Sequence, residues 1–247
     1  MKKNISRSHR ILVSLGYNCE PDFKIHKFDK TAESYAFTWA KIVDREKWLL
    51  SLNDLPGLLE GDPKAVDSEI VSFSKYDVGY HARPELVKDG NPMGQDSLAE
   101  LRSRVTHLIE KTEKIRNDPK AAISFIQSIP ATNLSKDSSF VAQTIEAVRK
   151  AFPSPDIQLF VVFDKKKANK NLYSTIAHPA WVHICFVNGF DSPRKRGDLW
   201  GWLKILKQAG TGSTLRYLYS DSPFLRVIFR PLVMLAGLFH HKSKLAE

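Results

Sequence analysis

Cys19 ends the stretch Ile11-Leu-Val-Ser-Leu-Gly-Tyr-Asn-Cys19, directly after an apolar run and a Gly-Tyr-Asn turn. If that run is a buried strand and a helix follows, the thiol is placed for nucleophilic chemistry. Loops at the carboxyl ends of parallel strands meet helix N-termini, whose partial positive charge stabilises a thiolate. Glu20 and Asp22 work against this by adding negative charge nearby. The Asn18 amide, with backbone N–H groups around Gly16, could hold the oxyanion formed when a thiolate attacks an acyl carbon. The plainer alternative is a small buried thiol closing a turn.

Such a nucleophile needs a base within hydrogen-bond reach, usually histidine, and a third group to orient it. Among eight histidines, His9 lies in a charged N-terminal arm, His107 in an amphipathic pattern, and His240 and His241 in a basic tail. His26 follows Cys19 by about two helical turns, too far to touch it. His81, in Tyr76-Asp-Val-Gly-Tyr-His-Ala-Arg83, follows an extended segment and is the leading candidate base. His178 comes second because it precedes an expected strand, and His183 alternates with Cys185 as a strand residue would. Asp77 and Asp198 are candidate orienting carboxylates. Gly16, Trp39 and Arg83 are the candidate substrate-binding residues.

These residues need a scaffold that turns strand ends toward one side. Residues 10–15 are expected to form a short buried strand closed by Gly16 and Asn18, and Pro21 suits the first turn of a following helix whose Phe23, Ile25 and Phe28 can face inward. A helix is expected over about 43–52, then breaks at Pro56-Gly57 and Gly61-Asp62-Pro63; residues 70–80 read as extended or loop-like. Leu98, Leu101, Val105, Leu108, Ile109 and Ile115 keep helical spacing. Strands are expected over 121–129, 157–163 and 182–187, a helix over 139–152, and a last helix from 197 with Asp198 as its cap. Trp200 and Trp202 on that last helix could stack on a sugar, although core or interface packing is the commoner use. Alternating strands and helices predict a three-layer α/β sandwich around a largely parallel sheet.

The chain has 247 residues, 43% of them hydrophobic and 26% charged, which suits one folded domain over residues 1–212. Cys19 and Cys185 are its two cysteines, too few for a disulfide framework and without zinc-site spacing, so a reducing compartment, no metal and no cofactor are expected. Gly210-Thr-Gly-Ser213 lacks the strand and lysine of a phosphate loop. The basic N-terminus is followed by too short an apolar run for a signal peptide, which points to the cytoplasm. A net charge of +10 predicts an acidic partner: an anionic membrane surface, or an acidic glycan or glycolipid. No nucleic-acid motif accompanies the charge, which argues against specific nucleic-acid binding.

Ser14-Leu-Gly-Tyr-Asn-Cys19, a short helix, and then Glu33-Ser-Tyr-Ala-Phe-Thr-Trp39 together resemble the opening of a bacterial family of papain-like cysteine peptidases, a domain of unknown function. That family's pattern is S-L-G-x-N-C, then a helix, then S-x-P-F-D-W. The first motif is matched well. In the second, Ala36 stands for the proline and Thr38 for the aspartate, while Ser34, Phe37 and Trp39 remain. The resemblance covers about residues 11–42, and Asp198-Leu-Trp200 is similar to a late acidic-Trp segment. It implies cysteine-dependent hydrolysis or acyl transfer linked to cell-surface polysaccharide biosynthesis, with a histidine near position 81. If the family's aspartate orients the base, Thr38 removes that group. An SGNH-type esterase with cysteine in the serine position is a looser analogy, since Asp191, Asp198 and Asp221 have no histidine three residues on.

Residues 213–247 form a separate basic amphipathic segment. Its stretch from Pro223 to Phe239 is strongly apolar but short for a membrane span and interrupted by Pro231. Arg226 and Arg230 would share a helix face near Phe229, suiting a membrane interface at the inner face of the cell membrane. The same helix could instead dock on the domain or on a second subunit. The expected function is a cysteine-dependent hydrolase or acyltransferase in cell-surface glycan assembly; the rival is a non-catalytic membrane-associated binding or scaffold protein.

Overall fold

The computed structural model describes residues 10–16, 20–29, 31–67, 69–81, 95–188 and 198–210. In chain order the elements are β1 (Ile11–Ser14), α1 (Glu20–Phe28), β2 (Ala40–Ile42), α2 (Arg45–Ser51), β3 (Pro63–Asp67), β4 (Ile70–Phe73), β5 (Val78–His81) and α3 (Gln95–Arg116). They continue with β6 (Ile123–Ile129), α4 (Leu134–Ala151), β7 (Ile157–Asp164), α5 (Lys170–Tyr173), β8 (Val182–Val187) and α6 (Leu199–Ala209). A 3₁₀ turn spans Pro56–Leu59.

The parallel sheet runs β1-β6-β7-β8. Its central strands are buried nearly throughout because both faces are covered, and β6 buries Ser124, Gln127 and Ser128 along with its apolar residues. On one face Val13, Phe125 and Leu159 share a core with Leu101 and Val105 of α3 and Phe140 and Val148 of α4. On the other, Leu12, Ile126, Phe160 and Val162 pack against Ile25 and Phe28 of α1 and Trp202, Leu203 and Leu206 of α6. The result is an α/β three-layer sandwich, as the alternation of elements predicts. Fully burying a side chain as large as those in these cores contributes roughly 1.5–3 kcal/mol.

A second sheet, antiparallel in the order β2-β5-β4-β3, has no counterpart in the sequence reading. Residues 70–80, expected as extended or loop, form the β4–β5 hairpin. Ile42, Val71, Phe73, Val78 and Tyr80 join the core on the α3 and α4 side.

Helix starts follow their caps. The Asp44 carboxylate accepts N–H bonds from Glu46 and Lys47, so α2 begins at Arg45 rather than Val43. Asn133 accepts from Ser135 and Lys136, which starts α4 at Leu134, earlier than the apolar spacing implies. Asp198 caps α6 as expected, accepting the Gly201 N–H at 2.8 Å. Residues 211–247, with Arg226, Phe229 and Arg230 and the proposed boundary at 212, lie outside the described residues. No described helix is long and apolar enough to cross a membrane.

Candidate functional site

The carboxyl end of β1 is built by a glycine turn. Leu15 extends the strand pairing, its N–H donating to the Ile126 carbonyl at 2.9 Å. Gly16 then takes φ +80°, and a Cβ there would sit 3.2 Å from the Ala40 carbonyl oxygen. Glycine is needed both for the left-handed backbone and for this close approach. Gly16 is thereby seated against the turn formed by the second motif. Asn18 and Cys19 lie outside the described residues, as does Arg83; α1 opens at Glu20, the residue after Cys19.

Asp22, one helical turn beyond Cys19, ties the two motifs together. Its Oδ2 accepts the Ser14 hydroxyl at 3.2 Å and the Trp39 backbone N–H at 2.9 Å. The Ser14 oxygen in turn accepts the Gly16 N–H at 3.3 Å. Burial pushes the Asp22 carboxyl up to about 7, against the lowering effect of its bonds to Trp39 and Ser14. The negative charge that the sequence sets against a Cys19 thiolate is therefore weakened at this residue.

Trp39 is held at φ +62°, a conformation that costs a bulky side chain energy. Three bonds hold its turn: Asp22 takes the Trp39 N–H, Thr38 Oγ1 accepts the Tyr35 N–H at 2.8 Å, and Thr112 Oγ1 of α3 accepts the Ala36 N–H at 2.8 Å. Thr38 thus makes a turn bond that an aspartate could also make.

The Trp39 ring meets Phe23 edge-on at 4.6 Å and stacks on His26 at 5.9 Å. His26 Nε2 lies 3.3 Å from the Ser34 hydroxyl. Phe23, expected to face inward, is exposed, because the face of α1 turned to the sheet is filled by Ile25 and Phe28. These rings form a shelf beside the Gly16 turn.

His81 closes β5. Its neighbour Tyr80 pairs with Ala40, the residue after Trp39, so the candidate base ends the strand beside the second motif. Alternation sends Val78 and Tyr80 to the core and His81 to the opposite face. The His81 carbonyl accepts a bond from Arg104 of α3. Ile70 pairs with His81 on one side and Asp67 on the other, which sets Asp67 two strands away from His81. Burial raises the Asp67 carboxyl, but the Glu69 N–H, Lys41 and His81 outweigh it and hold the group below its ordinary value. Asp67 is a carboxylate the sequence reading missed; only the sheet register brings it toward His81.

The other candidates are occupied elsewhere. Asp77 is paired with Lys47 at 2.5 Å, and Asp198 is spent on the α6 cap, on Asn188 and on Lys165. His178 is exposed ahead of β8, toward the amino end of the sheet. His183 stacks on Phe160 at 4.6 Å, and burial lowers its pKa. It lies on β8 as expected, with Nδ1 3.3 Å from the Gln208 amide nitrogen, while its buried Nε2 has no hydrogen-bond partner. A groove of about 930 Å³ between Arg10, Tyr35, His107 and Lys111 reaches Ile11 at the amino end of β1, the end opposite Gly16. Among the described residues no group of three His, Cys, Asp or Glu side chains is arranged to hold a metal ion.

The chain matches no protein-family model, no curated protein and no solved structure.

Proposed function

We propose that the protein is a cysteine-dependent hydrolase or acyltransferase of the papain-like cysteine peptidase type, acting in cell-surface polysaccharide biosynthesis. The observation that carries this reading is the Asp22 bridge. One buried carboxyl joins the strand and helix that flank Cys19 in sequence to the strained Trp39 turn, and β5 ends with His81 beside that turn. Strain held by a buried network next to a candidate nucleophile is what a preorganised site requires.

In mechanism, the Cys19 thiolate attacks an acyl carbon and His81 takes up the thiol proton. The Asn18 amide and local backbone N–H groups bind the oxyanion. Collapse of the tetrahedral intermediate expels the leaving group with the proton from His81 and leaves a thioester. Water or an acceptor hydroxyl, deprotonated by His81, then releases the acyl group and restores the thiol.

The test is the pH dependence of alkylation at Cys19, resolved by peptide mass spectrometry, in wild type and His81→Ala. Cys185 is the internal control, because burial pushes its thiol up to about 12 and it should react slowly. Fast reaction of Cys19 well below a thiol pKa of about 8.5, lost in the variant, is expected. An ordinary profile unchanged by His81→Ala would overturn the mechanism.

A second reading, a non-catalytic membrane-associated binding or scaffold protein for glycan assembly, is favoured by Thr38. It is buried and neutral where the family carries an aspartate. Under this reading Cys19 alkylates as an ordinary thiol while the chain still binds anionic vesicles.

A further inference from the structure

The carboxyl end of the parallel sheet carries a surface that the catalytic reading does not use. After β7 the chain turns at Lys165, whose N–H donates to the Val187 carbonyl at 2.8 Å and whose Nζ lies 3.6 Å from Asp198 at the start of α6. These contacts seat Lys165 at the first turn of α6, so the segment 165–173, on the α4 side of the sheet, and the start of α6, on the other side, both lie at the carboxyl end of the sheet. The segment is anchored from below. Ala168 and Tyr173 are buried, the Tyr173 ring packs on Phe163 at 4.8 Å, and its hydroxyl donates to Asp137 at 2.8 Å.

What this anchored segment displays is both apolar and basic. Leu172 is 51% exposed and Trp200 60% exposed, although the same elements bury Tyr173 and Trp202. Lys166 and Lys170 are exposed on the segment that displays Leu172. Two acids at this end among the described residues are engaged by the fold: Asp164 is buried with Oδ1 on the Lys166 N–H, and Asp198 caps α6. Tryptophan, a bare leucine and flexible lysines held on a rigid base fit a headgroup boundary, where rings and aliphatic chains enter the interface and ammonium groups meet phosphate. A nucleic acid would use the lysines but offers nothing to Leu172.

We propose that this end of the sheet is a docking face for anionic lipid bilayers, with Lys166 and Lys170 on headgroup phosphates and Leu172 and Trp200 inserted at the interface. Phe23 is exposed on α1, which follows the carboxyl end of β1, so docking would hold the Gly16 turn toward the bilayer and, under the catalytic reading, favour a substrate carried at the membrane. That last step rests on the catalytic reading; the docking face does not.

The experiment is flotation of the full chain with phosphatidylcholine vesicles, with and without phosphatidylglycerol. Four proteins are compared: wild type, Lys166→Glu/Lys170→Glu, Leu172→Asp/Trp200→Ser, and the tail variant Arg226→Glu/Arg230→Glu. Wild type should float only with phosphatidylglycerol, and the lysine reversal should weaken partitioning about tenfold or more. The Leu172/Trp200 variant should lose a comparable amount while keeping its circular dichroism and melting profile, since both side chains are exposed. The proposal is overturned if both face variants float like wild type, if loss is confined to the tail variant, or if wild type fails to float, with retardation of duplex DNA then assigning the lysines to nucleic acid instead. Cys19 alkylation, measured in parallel, is expected to be unchanged in the face variants, so the docking face and the catalytic reading can fail separately.

Discussion

Asp22 is the residue on which the candidate site turns. Its carboxyl is raised from 3.8 to about 7, so between those values the folded state keeps a proton that the unfolded chain has lost. Stability contributed by the protonated form is therefore full below the lower value, falls as pH rises through the window, and levels off above about 7. Asp22→Asn keeps an acceptor for Trp39 and cannot ionise. Melting temperatures of the two proteins at about pH 5 and about pH 8 should show a larger loss for wild type than for the variant; equal losses would remove the raised carboxyl. Gly16→Ala should destabilise by about 1–2 kcal/mol in urea unfolding, because an L side chain at φ +80° is strained and its Cβ meets the Ala40 carbonyl. The requirement for Gly16 at a strand end was legible in the sequence. The proton on Asp22 was not, because burial depends on what Trp39 and Ser14 do from other elements.

At the scale of elements, Asp137 holds three helices together. It accepts the Thr132 and Asn133 N–H groups at the start of α4, the Tyr173 hydroxyl of α5 and, at 3.3 Å, Arg45 of α2. Burial raises this carboxyl, but those bonds outweigh it and hold the group below its ordinary value. Asp137→Ala should cost about 3 kcal/mol in urea unfolding, since it strands a buried hydroxyl and two backbone donors. Asn133→Ala, which removes only the cap, should cost about 1 kcal/mol. A smaller loss for Asp137→Ala than for Asn133→Ala would show that the cluster is not a joint between elements. The helices themselves were legible because an apolar stripe every three or four residues survives in a single sequence. The short strands of the second sheet, with Lys, Ser and Gly among their residues, carry too little periodicity to be told from loop.

Across the whole molecule, a net charge of +10 predicts an acidic partner without saying where it sits. Lys111 is paired with Glu33 at 2.9 Å and Arg10 with Asp156, whereas Lys166 and Lys170 are exposed on the segment that displays Leu172. If headgroup phosphates are the partner, added salt should weaken flotation of wild type steeply and that of the lysine reversal less. Salt-insensitive flotation of wild type would assign binding to apolar insertion alone.

By itself the sequence determined the alternation of helices and strands, the parallel core strands, the Asp198 cap and the order strand, glycine turn, Cys19, helix. These depend on local spacing, which burial of one face imposes directly on neighbouring residues. Only the tertiary structure decided that the Gly16 turn and the Trp39 turn meet through Asp22, that β5 ends beside them with His81, and that Phe23 and Trp200 face outward. Those outcomes rest on strand register, on a second sheet and on burial by distant elements. They are properties of residues far apart in the chain, and no local pattern records them.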